Sequence, residues 1–146
     1  GCAGEILKDS INVVISYLAN NYNIDLKNQD LHFHFLESYV KKDGPSAGVT
    51  LVTALVSALA KRKVKGNIAM TGEVTLTGRV LAIGGVKEKC LAAHRIGIDT
   101  IILPKENKKN VDEIPASIKG KLNLIFASHV EEVLEEALIG VEYSDN

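Results

Sequence analysis

Residues 42–48 read KDGPSAG, and VTLVTALVSALA then runs to residue 60 without a charged side chain. One hydroxyl, that of Ser46, is placed between a turn and the mouth of an apolar helix. The ordinary role for such a serine is helix entry, with Pro45 in or just before the first turn and Ser46 capping backbone N–H groups. Gly44 and Gly48 clear space on both sides, which would let an extended chain approach the oxygen. A helix N-terminus also offers free N–H groups and a positive dipole end to an oxyanion formed in acyl transfer. These features suit a nucleophile.

A serine hydroxyl is inert near neutral pH unless a base takes its proton. Four histidines and several lysines are candidates. His32 and His34, in LHFHFL, precede the loop, and either one with Asp43 would complete a Ser-His-Asp set. A lysine base must act unprotonated, which calls for an apolar setting or neighbouring hydrogen-bond donors. In IGGVKEKCLAAHRI, Lys89 shares a helical stripe with Val86, Ala92, Ala93 and Ile96, whereas Lys87 shares one with Cys90, Leu91 and His94. The two stripes differ little, and both lysines would also be ordinary on a solvated helix face.

The elements that must hold these residues follow from hydrophobic period. EILKDSINVVISYLANN repeats Leu7, Ile11, Val14, Ile15 and Leu18 at helical spacing, and asparagines end it. LHFHFL alternates, with Leu31, Phe33 and Phe35 on one face of a strand and His32 and His34 on the other. The helix after Ser46 is apolar nearly all round and is expected at the centre. NIAMTGEVTLTGRVLAIGG is β-branched and punctuated by glycines, which predicts short strands in antiparallel hairpins over 67–83. VKEKCLAAHRI reads as a helix stopped by Gly97, DTIILP as a buried strand, LNLIFA as another and HVEEVLEEAL as a closing helix. The polar ENKKNVDEIP region lies between those two strands. Strands alternating with helices in the second half imply parallel pairing, so the class is mixed α/β or α+β.

The chain has 146 residues, 46% hydrophobic and 24% charged, which fits one domain over 1–146 with flexible ends at 1–3 and 140–146. A net charge of −1 argues against nucleic acid or a membrane surface as partner, and no apolar run reaches the roughly 18 residues needed to span a bilayer. No signal or transit composition opens the sequence. Two cysteines, Cys2 and Cys90, form neither a disulfide framework nor a zinc pattern, and a reducing intracellular setting follows.

KDGPSAG, MTGEVTLTGRVLAIGGVKEKCLAAH and ILPKENKK, in this order, closely resemble the proteolytic domain of Lon, the ATP-dependent protease. The resemblance runs from about Gly4 to the closing helix. It implies a fold of short parallel and antiparallel strands with packed helices, and a serine endopeptidase with Ser46 as nucleophile and Lys89 as general base. It further implies that Thr71 lies beside the lysine amine, and that Asp43, Glu73, His32 and His34 shape the site. In most relatives a PEGA-like stretch and a proline precede the nucleophile loop, where this chain has LESYVKKDGPSAG.

The resemblance also implies polypeptide substrates, misfolded and regulatory proteins among them, and a hexamer in the intact enzyme. Its location would be cytoplasmic in a bacterium or the mitochondrial matrix in a eukaryote. An ATPase module would sit on the same polypeptide and would take the ATP and Mg²⁺. No GxxxxGK[ST] is present, so the domain itself is expected to need no cofactor and no metal. Two other readings fit the residues: a Ser-His-Asp hydrolase using His32 or His34 with Asp43, and a peptide-binding or assembly module without turnover.

Overall fold

The computed structural model describes residues 2–22 and 47–140, with side chains described for 8–22 and 47–140. The expected LHFHFL strand, the loop carrying Asp43 and Ser46, Gly1 and residues 141–146 lie outside the described residues. The elements in order are α1 (Cys2–Asn21), α2 (Gly48–Ala60), β1 (Ile68–Met70), β2 (Glu73–Val74), β3 (Val80–Leu81) and α3 (Val86–Arg95). They are followed by β4 (Thr100–Pro104), a 3₁₀ helix (Lys105–Glu113), α4 (Ala116–Lys119), β5 (Asn123–Ala127) and α5 (Val130–Ala137). The class is the expected α/β mixture.

One sheet has the strand order β1-β4-β5, all parallel, and a separate pair, β2-β3, is antiparallel. This corrects the hairpin reading of residues 67–83. Only β2 and β3 pair that way, whereas β1 joins the parallel sheet with Met70 opposite Ile102. A three-residue strand carries too few side chains for its alternation to identify a partner some thirty residues away.

The central strand β4 explains why DTIILP lacks polar alternation, since both its faces are covered. Ile102 points into a cluster with Ile11, Val14 and Leu18 of α1, Val52 and Leu55 of α2, and Val130, Val133 and Leu134 of α5. Ile101 and Leu103 point the other way, into a second cluster with Val86, Cys90 and Ala93 of α3 and with Ile114 and Leu122. In α2 every residue from Gly48 to Val56 except Thr50 is buried, as the apolar composition of the helix predicts, and its last turn emerges with Leu59 43% exposed. Thr53 is tolerated there because its hydroxyl donates to the Val49 carbonyl at 2.8 Å.

Turn chemistry sets the remaining path. Gly78 has φ +86° and packs so closely that a Cβ would lie 2.5 Å from Tyr17 Cε1, so only glycine fits both the backbone and the space. The α5 N-terminus is closed by His129, whose Nδ1 accepts from Glu131 N at 3.1 Å, while Glu132 Oε1 accepts from the Ser128 and His129 N–H groups. These hydrogen bonds, the Ser128 backbone bond first, hold the Glu132 carboxyl below its ordinary range.

Leu51 lies wholly inside the α1–α2–α5 cluster. Leu51→Ala is expected to lower unfolding free energy by roughly 2–5 kcal/mol in urea titrations, through lost burial and the cavity left behind. A loss under about 1 kcal/mol would mean that this helix is not packed as described.

Candidate functional site

The site forms where β1 ends. The β1–β4 pairing extends one residue past the strand, with Thr71 N donating to Ile102 O at 3.1 Å, and this fixes Thr71 at the sheet's end. The Thr71 side chain is buried, only 7% exposed. Facing it is α3, which starts from Gly85 in the left-handed region at φ +72° and rests on Val86, Cys90 and Ala93. That roll directs Lys89 toward β1, where its Nζ donates to Thr71 Oγ1 at 3.1 Å. Lys89 is half-buried and Lys87 is exposed, a separation the two sequence stripes do not provide.

Gly72, the next residue, anchors the other helix. Its carbonyl accepts from Val49 N at 3.0 Å, within the first turn of α2. Gly48 lies so close to the β2 backbone that a Cβ on it would stand 2.8 Å from Val74 N. The α2 N-cap is Ala47, which has no capping side chain. Ser46 itself, with Asp43, His32 and His34, lies outside the described residues. Within the described residues the sheet end thus joins two of the expected blocks: the start of α2 and the Thr71–Lys89 pair.

A groove of about 600 Å³ opens between β1 and α3, with Thr71 and Lys89 on its wall beside Ile68, Met70, Ala92 and Ile96. Its lining is mostly aliphatic, and Ile96 is 77% exposed at its rim. Glu73 starts β2 two residues beyond Thr71, is exposed and does not line this groove. Cys90 is fully buried in the second cluster, and burial pushes its thiol up, so it stays neutral and serves packing.

The support beneath α3 escapes a reading of the sequence. The Ala82–Ile83 backbone leading into that helix is bound by Glu106 and Asn107 of the 3₁₀ helix, at 3.0 Å and 2.8 Å. The block ILPKENKK contains both residues, but nothing in its spacing separates these two from the solvated charges around them.

The groove thus sits beside a parallel sheet with helices on both faces and a separate antiparallel pair. The family model for the Lon protease (S16) C-terminal proteolytic domain matches residues 1–140, and the chain belongs to that family. It is 55% identical to the Lon protease of Clostridium acetobutylicum, with 100% of this chain and 20% of the relative aligned. Identity is 54% to the Lon protease of Finegoldia magna (95% of this chain, 19% of the relative) and 49% to Lon protease 1 of Bacillus subtilis (96% and 19%). The chain spans about a fifth of the length of the curated relatives it matches. The matched family is that of the proteolytic part of Lon proteases. Among the described residues no helix is long and apolar enough to cross a membrane.

Alanine for glycine inside a helix ordinarily stabilises by about 0.5–1 kcal/mol. At Gly48 the sign should reverse, because the added methyl must push α2 off the β2 backbone. Gly48→Ala is expected to lower the thermal midpoint, and a raised midpoint measured by calorimetry would contradict the close approach.

Proposed function

We propose that the domain hydrolyses peptide bonds with a dyad in which Ser46 is the nucleophile and Lys89 the general base. The observation that carries this is the pairing of Lys89 Nζ with Thr71 Oγ1 at 3.1 Å, next to the Gly72 carbonyl that binds the first turn of α2. Ser46 is only two residues before that helix. Thr71 orients the amine on the wall of the aliphatic groove.

In the first step the Ser46 hydroxyl oxygen bonds to the substrate carbonyl carbon and its proton passes to neutral Lys89. Backbone N–H groups near the start of α2 stabilise the oxyanion, helped by the helix dipole. The Val49 N–H is engaged by Gly72 O, so it serves to anchor the helix. Collapse of the intermediate breaks the C–N bond, and Lys89 returns its proton to the leaving amine. Water then hydrolyses the acyl-enzyme, with Lys89 as base again. The chemistry asks for no metal and no organic cofactor. Asp43, Glu73, His32 and His34 shape the site and its approach without acting as bases.

In the intact protein this domain would be the peptide-hydrolysing part of an ATP-dependent protease that degrades misfolded and regulatory polypeptides. An ATPase module would supply the ATP and Mg²⁺ site, six copies would form a ring, and the bacterial origin of the relatives favours the cytoplasm.

Cleavage of a fluorogenic peptide should disappear in Ser46→Ala and in Lys89→Ala and persist in His32→Ala and His34→Ala. The wild-type rate should rise on an alkaline limb, because the base works unprotonated. Full activity in Lys89→Ala, or its loss in a histidine variant alone, would replace the dyad with a Ser-His-Asp set.

A further inference from the structure

Asn107 is the most deeply buried amide side chain among the described residues, 2% exposed, and the dyad chemistry does not use it. Its carboxamide pairs with both backbone groups of one residue. Ile83 N donates to Oδ1 at 2.8 Å, and Nδ2 donates to Ile83 O at 2.8 Å. Nδ2 also donates to Asn110 Oδ1 at 3.0 Å, which fixes the orientation of the amide. The side chain thus takes the place of a neighbouring strand's peptide group, satisfying a loop that would otherwise bury a donor and an acceptor. Beside it, Glu106 Oε1 accepts from Ala82 N at 3.0 Å.

The clamped loop runs directly into α3. Two residues beyond Ile83 is Gly85, whose carbonyl accepts from Lys89 N at 3.0 Å, the first helical hydrogen bond of α3. No side chain caps this helix start, so the loop's own attachments set where the first turn begins. Asn107 lies three residues past Pro104, the last residue of β4, and β4 also holds Thr71 through Ile102. One unit, β4 with its 3₁₀ extension, is therefore bonded to both partners of the amine–hydroxyl pair, to Thr71 directly and to Lys89 through Ile83.

We propose that Asn107 is a positioning residue for Lys89: its two-way pairing with Ile83 fixes the start of α3 and so the placement of the amine against Thr71. Its effect on catalysis rests on the reading of Lys89 as the base. Misplacement of a reacting group by about 1 Å can cost on the order of a hundredfold in rate, so a loosened clamp should be visible in turnover.

The test compares Asn107→Ala and Asn107→Asp with Val133→Ala, which trims the core cluster on the opposite face of the sheet. Peptide cleavage is measured as kcat and KM per site titrated with a serine-acylating reagent. The Lys89 side chain is followed by nuclear magnetic resonance of ¹³Cε-labelled lysine. Asn107→Ala should lower kcat per titrated site by about tenfold or more, leave KM within about twofold and move the Lys89 resonance. Asn107→Asp keeps the acceptor for Ile83 N but sets a carboxylate oxygen against Ile83 O, and should also lower kcat per titrated site and move the Lys89 resonance. Val133→Ala should lose stability with kcat and the Lys89 resonance unchanged. Wild-type kcat and an unmoved resonance in Asn107→Ala would overturn the inference; should that variant fail to fold, the same values in Asn107→Asp would do so. If the wild type cleaves nothing, the dyad reading fails, while the resonance still decides whether Asn107 places the amine.

Discussion

The structure depends on β4 being buried on both faces while its backbone is bonded along both edges. Its side chains split between the two hydrophobic clusters, Ile102 to one and Ile101 and Leu103 to the other. Its hydrogen bonds bind β1 and β5 and continue past β1 to Thr71. A strand held in this way has little freedom to slide, because a one-residue slip would exchange the contents of both clusters. Thr71 and, through the 3₁₀ helix, the start of α3 therefore inherit a fixed reference.

Around that strand, apolar packing and polar clamps divide the work. Packing of Val86, Cys90 and Ala93 sets the roll of α3 and hence the direction in which Lys89 points. Packing alone is tolerant of small shifts along the helix axis, since the same hydrophobic faces stay in contact. Directional bonds remove that tolerance: Val49 N to Gly72 O for α2, and Ile83 to Asn107 for α3. The close approach at Gly48 adds a steric stop to the first of these.

The long helices are legible in the sequence because an apolar stripe repeated over several turns fits a helix and no strand. Ile11, Val14, Ile15 and Leu18 are buried where α1 meets the core, and α2 is buried from Gly48 to Val56 apart from Thr50, as its composition requires. Composition gives the strand IAM the wrong pairing, since three residues carry no information about a partner chosen by the β1-α3-β4 crossover. Period alone does not separate Lys89 from Lys87, because the difference arises from which face of α3 meets β1. The fold brings Lys89 to that face, where its Nζ donates to Thr71 Oγ1 at 3.1 Å. Asn107 is hidden for a related reason: in KENKKNVDE nothing local distinguishes it from Asn110, and only docking against Ile83 buries one and leaves the other at the margin.

The central claim is that Lys89, held by Thr71 at the end of β1, activates Ser46. The most direct measurement is the rate at which a peptidyl fluorophosphonate modifies Ser46, followed by peptide-mapping mass spectrometry in wild type and in Lys89→Ala. The account predicts a single adduct on Ser46 in wild type and a rate lower by two or more orders of magnitude, roughly the worth of a positioned base, in the variant. Modification of Ser46 at the same rate without the lysine, or of another residue in its place, would contradict it.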